Sequence, residues 1–156
     1  MKGPSPSLPA GAPEGTKWFG GPIKWTRVSL TCVGDDVDPA IITSAMSVSP
    51  TTAWAKGDLV RATNPEGGRR RNGYWSLEQK AEDTDEWDVD EALKSLIQQL
   101  PTGDAAWAII PSSATVRLWA VLELASGNQG LEISPQTAAW CAQRGVGLSI
   151  DVYRDD

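Results

Sequence analysis

Histidine is absent from this 156-residue sequence, and with it go the commonest general base, the commonest metal ligand and the ordinary pH switch. Cysteine is scarce. Cys32 and Cys141 stand far apart in apolar settings (Leu-Thr-Cys-Val and Ala-Trp-Cys-Ala), whereas a disulfide-stapled scaffold is Cys-dense, so both read as reduced, buried fillers. Long apolar runs are missing too: the longest, Ala105 to Ile110, is closed by Pro111, far short of the roughly 20 residues that a membrane-spanning helix needs. The first residues are rich in Pro, Gly, Ser and Ala and have no continuous apolar core of the kind a secretory signal requires, so a cytoplasmic location is expected. No phosphate loop, dinucleotide fingerprint or Gly-x-Ser-x-Gly elbow occurs, and neither cysteine has a histidine to activate it. These absences lead to the expectation of a non-enzyme without cofactor or metal. A carboxylate-dependent hydrolase is the catalytic alternative, since two acids brought together by a fold need no histidine.

What is present fits one ordinary globular domain. Hydrophobic residues make up 40% and charged residues 22%, which excludes wholesale disorder. With 14 Lys and Arg against 20 Asp and Glu, the net charge of -6 argues against nucleic acid and suits a basic or neutral protein partner better. Residues 1–23 are Pro/Gly/Ser-rich without apolar periodicity and read as a disordered tail, leaving 24–156 as a single domain.

The pattern Trp25 to Val33 alternates and predicts a first strand with Trp25, Val28, Leu30 and Cys32 mostly on one face. Asp38-Pro39 then opens a short helix to about Met46. Short strands are expected at Leu59 to Thr63 and from Gly73 through Glu78. Asp88 followed by Glu91 fits a capping box, opening a helix with Val89, Leu93, Leu96, Ile97 and Leu100 as its stripe. Ala106 to Ile110 and Val116 to Leu124 read as a hairpin, Ser134-Pro135 caps a helix that stops at Gly145, and Val146 to Tyr153 is the last strand. The order predicts an α+β fold, a mainly antiparallel sheet with about three helices packed on one face, with an internal echo suggesting a duplicated ferredoxin-like unit.

Three constellations carry candidate chemistry. Asp35, Asp36 and Asp38 form an acidic group that suits a hard cation, but a helix cap with flanking acids explains the same residues better. Eight tryptophans accompany a single phenylalanine. Trp25, Trp75, Trp107, Trp119 and Trp140 fall on predicted strands or a helix, where burial is ordinary, while Trp54 lies in a loop. A small-ligand or peptide pocket would be walled by Trp54, Trp75 and the loop carrying Arg69, Arg70 and Arg71, whose guanidinium groups grip carboxylate or phosphate. The acidic run from Glu82 to Glu91 lacks the glycine and glutamate spacing of a calcium loop, so Asp83, Asp85, Glu86 and Trp87 are the candidate contact for a protein partner.

The segments Val28-Ser-Leu-Thr-Cys-Val-Gly-Asp-Asp-Val-Asp-Pro-Ala-Ile-Ile-Thr, Lys56-Gly-Asp, Gly73-Tyr-Trp-Ser-Leu and Leu148-Ser-Ile-Asp-Val-Tyr resemble a family of small, mostly bacterial proteins, domain of unknown function number 4279. The resemblance covers roughly residues 25 to 153 and implies a single domain without naming an activity or functional residues. The expected function is that of a non-catalytic interaction protein, an immunity-type inhibitor of a bacterial toxin being its most concrete form, with a Trp-lined ligand- or peptide-binding module as the alternative. A monomer or a homodimer is expected.

Overall fold

The computed structural model describes residues 23–81, 89–124 and 130–154. Strand β1 (Ile23–Gly34) runs through the middle of a five-stranded sheet and is flanked by β3 (Gly73–Ala81) and β4 (Thr115–Leu124), both antiparallel to it. The short β2 (Thr52–Trp54) adds antiparallel to the outer side of β3, and β5 (Gly147–Arg154) adds parallel to β4, giving the order β2-β3-β1-β4-β5. The fold is therefore α+β with a mostly antiparallel sheet, as the pattern predicts. The two halves of the chain differ in their pairing, however: β1 and β3 are antiparallel across α1 (Pro39–Met46), while β4 and β5 are parallel across α4 (Pro135–Arg144), so the internal echo does not extend to the sheet.

Strand parity decides which side carries the core. Val28, Leu30 and Cys32 of β1, Trp75 and Leu77 of β3, and Leu118, Ala120, Leu122 and Leu124 of β4 all point to one side and are buried. The helices cover that side. Helix α1 contributes Ile42 and Met46, α2 (Val89–Ile97) contributes Val89, Leu93 and Leu96, and α4 contributes Cys141, all in one cluster. Burial pushes the Cys32 thiol up to about 11 and raises that of Cys141 as well, as desolvation of the thiolate requires.

Local chemistry fixes the helix ends. Asp38 accepts from the backbone N–H groups of Ala40 and Ile41 ahead of Pro39, Ser134 accepts from Thr137 N–H ahead of Pro135, and α4 stops at Gly145 in the left-handed region (φ 64°). Gly73 is required by close approach: a Cβ there would stand 1.8 Å from the Val37 carbonyl oxygen. One buried charge ties two helices together. The Asp90 carboxylate accepts from Ser134 N–H (3.1 Å) and the Thr137 hydroxyl (2.7 Å) and pairs with Lys94 (2.8 Å). Burial by itself would raise this carboxyl, but the bonds from Lys94, Thr137 and Ser134 outweigh it and hold Asp90 well below the usual carboxylate range.

Two predicted strands are absent from the structure. Ala106 to Ile110 lies in a short helix α3 (Asp104–Trp107) and the turn after it, because Ala105 and Ala106 favour helix and Trp107 turns inward. The Trp107 indole donates to Pro101 O (2.8 Å) and meets Trp140 edge-on at 5.2 Å. Leu59 to Thr63 keeps only one isolated bridge, Leu59 to Arg69, within a turn-rich loop in which Gly57 adopts φ 91°. Strand β2 forms upstream of it instead, at residues read as irregular. The expected tail lies outside the described residues except for Ile23, which opens β1, and the expected cap Asp88 lies outside them too.

Candidate functional site

The helices cover one side of the sheet; its other side is a trough. Odd-numbered positions of β1 and β4 and even-numbered positions of β3 line it, closed at one end by Asp35, Asp36, Asn72 and Ser113 from the connecting loops. Its volume is about 800 Å³. Along β1 it runs from Arg27 to Val33, about 20 Å at the usual strand rise.

Register orders the floor in rows. Tyr74, Val33 and Thr115 form one row, Ser76, Thr31 and Arg117 the next, and Glu78, Ser29 and Trp119 the third, with Arg27 beside Val121 beyond. Small hydroxyl side chains thus occupy the centre, while long cationic and aromatic ones stand at its sides. The Trp119 indole donates to the Thr31 hydroxyl (3.2 Å), and the Arg117 guanidinium lies 5.9 Å from the Trp119 ring centre. Arg27 faces Glu78 across 3.7 Å. Beyond Arg27 the Trp25 indole donates to Glu123, which also pairs with Lys24 at 2.6 Å.

The acidic end is organised rather than loose. Asp35 faces Lys56 (3.5 Å) and accepts from the Asn72 amide (3.3 Å), while Asp36 accepts from the Ser113 hydroxyl (2.9 Å). Asp38 is turned away as the α1 cap. Among the described residues no group of three or more potential ligands could hold a metal ion.

The predicted site residues fall in three places. Trp54 is stacked on Tyr74 (ring centres 4.2 Å, 11° between planes), and the Arg70 guanidinium covers its other face at 3.9 Å. This three-layer stack stands at the Tyr74 end of the trough, so Trp54 presents only an edge to a ligand. Arg69 is turned to the Gly57 carbonyl (2.8 Å), and Arg71 is exposed in the same loop. Trp75 lies on the opposite side of the sheet, fully buried with its indole donating to Thr43 (3.1 Å), so it belongs to the core and cannot wall a pocket with Trp54. Asp83, Asp85, Glu86 and Trp87 lie outside the described residues.

Sequence reasoning missed Arg27, Thr31, Tyr74, Arg117 and Trp119 as trough residues, and it placed Trp25 and Trp119 among core aromatics. Both tryptophans are half-buried on the open side. The signal that finds Trp119 is parity, since Leu118, Ala120 and Leu122 commit the even positions of β4 to the core. The same parity finds Trp25, since Val28, Leu30 and Cys32 commit the even positions of β1 to the core, while the register irregularity between Ile23 and Trp25 turns Ile23 to the core side.

The model of the family described as Domain of unknown function (DUF4279) matches residues 23–155. The chain belongs to this family. The matched stretch takes in all five strands and every trough residue. Comparison with curated proteins found no match, and comparison with solved structures found none.

Proposed function

We propose that this DUF4279 member is a non-catalytic binding protein that receives a segment of a protein partner in the trough on the open side of its sheet. One observation carries the reading: three central strands that bury a full apolar core on one side turn hydroxyl, guanidinium and aromatic groups to the other, with no helix among the described residues over them. Ser29, Thr31 and Ser76 are too small to fill the space, so a chain can approach the sheet closely. Arg27, Arg117, Trp119 and Tyr74 supply the side-chain types that dominate binding energetics. A length of about 20 Å suits six or seven residues of extended chain. The groups with clearly shifted acidity that lie on the helix side, Asp90, Lys94, Cys32 and Cys141, have structural causes in ion pairing and burial.

The partner's charge is read from the acidic end and from the middle row that holds Arg117. Asp35 and Asp36 favour a basic group, in keeping with the net charge of -6, and Arg117 favours a carboxylate or a backbone carbonyl about 13 Å away along the strands. A toxin held inactive through a basic segment is the concrete form of such a partner. The test is capture from a lysate of the host by the tagged full chain, run beside Arg117→Glu/Trp119→Ala. The expected result is one stoichiometric partner bound by the parent and lost by the double variant. Retention by the variant would move the interface off the trough, and a small molecule carried in place of a protein would favour a ligand pocket.

A further inference from the structure

The sheet ends on one side in β5, whose outer edge accepts no backbone hydrogen bond from any described residue. An uncovered edge is normally blunted by proline, by lysine, by a bulge or by shortness. Over Gly147 to Tyr153 this strand has no proline, lysine or bulge and a single charge, Asp151, and the whole of β5 is eight residues long, pairs in unbroken register with β4 and begins Gly-Leu-Ser-Ile-Asp-Val-Tyr. Its apolar side chains are also unusually open, with Leu148 37%, Val152 55% and Tyr153 56% exposed. On the other side of the sheet β2 is only three residues long, a protected edge.

We infer that the β5 edge pairs antiparallel with β5 of a second copy of this chain, about a two-fold axis at Ile150. Self-complementarity of the strand selects the occupant. In this register Ile150 meets its own counterpart, Leu148 stands opposite Val152 twice, Ser149 opposite Asp151 twice, and Gly147 opposite Tyr153 twice. Apolar side chains then meet apolar ones on the helix side of the sheet, a hydroxyl meets a carboxylate on the open side, and the smallest residue faces the largest. The neighbouring registers are worse. Centring on Asp151 sets two carboxylates against each other, and centring on Ser149 shortens the ladder and runs it into Gly145, the left-handed cap of α4. The pairing joins two five-stranded sheets into one of ten strands, with both troughs on the same side.

Native mass spectrometry and light scattering of the full chain at tens of micromolar test this. A dimer is expected for the parent and a monomer for Val152→Lys, which places a charge against Leu148 twice while altering a side chain already more than half exposed. Cysteine placement reads the register. Ile150→Cys should form an intermolecular disulfide on mild oxidation, since directly opposed Cβ atoms lie about 5 Å apart, and Leu148→Cys should not, being four residues out of line with its counterpart. A parent monomer, a dimer indifferent to Val152→Lys, or equal cross-linking of both cysteine variants would overturn the proposal. So would a monomer that dimerises only after removal of residues 1–22, which would assign the edge to that segment.

Discussion

The two sides of the central strands are built from alternate residues of the same segments, yet they obey different rules. On the helix side Val28, Leu30, Trp75, Leu77, Leu118, Ala120 and Leu122 are buried together, and each contributes to stability by leaving water. On the open side Arg27, Thr31, Tyr74, Arg117 and Trp119 keep partial contact with solvent and serve no core. The contrast separates two jobs within one sheet. Residues of one parity hold the fold, and residues of the other are free to be chosen for what they bind.

This separation can be broken experimentally, starting with the largest effect. Trp75→Ala removes a fully buried ring and its hydrogen bond to the Thr43 hydroxyl, and it should lower unfolding free energy by about 3–5 kcal/mol in urea titrations. Asp90→Asn acts on the helix side through charge rather than volume. It weakens the bonds to Ser134, Thr137 and Lys94 and should cost about 2 kcal/mol at neutral pH. Because the folded protein holds this carboxyl below its unfolded value, its contribution is complete above about pH 4 and is lost as pH falls through the folded value. The parent should therefore lose stability toward acid more steeply than Asp90→Asn, as denaturation curves at stepped pH would show.

The smallest expected change in stability is on the open side. Trp119→Ala removes a half-buried ring whose one hydrogen bond, to Thr31, is replaceable by water, and it should shift unfolding by no more than about 1 kcal/mol. A loss as large as that of Trp75→Ala would mean that the open side also supports the fold.

Much of this arrangement was legible from local pattern. Asp38-Pro39 and Ser134-Pro135 announced helix starts, Gly145 announced a stop, and alternation announced β1 and β4. Features set by tertiary context were not legible. A short apolar run such as Ala106 to Ile110 suits strand or helix equally until Trp107 has Trp140 to meet. Nothing in Val146 to Tyr153 records that β5 runs parallel to its neighbour. The trough was harder still, because Arg27, Tyr74 and Arg117 are far apart in sequence and only the register brings them to one floor. Arg69, Arg70 and Arg71 drew attention as neighbours in sequence, yet their roles diverge: Arg69 braces a loop and Arg70 caps Trp54.

The most direct test of the binding face is site-specific photocross-linking in the host, with a photoreactive residue at Thr31 in the middle of the trough and, for comparison, at Ile41, which is exposed on α1. A single cross-linked partner from position 31 and none from position 41 is the predicted result. Cross-links from position 41 with none from position 31 would place binding on the helix side and contradict the division of labour between the two faces.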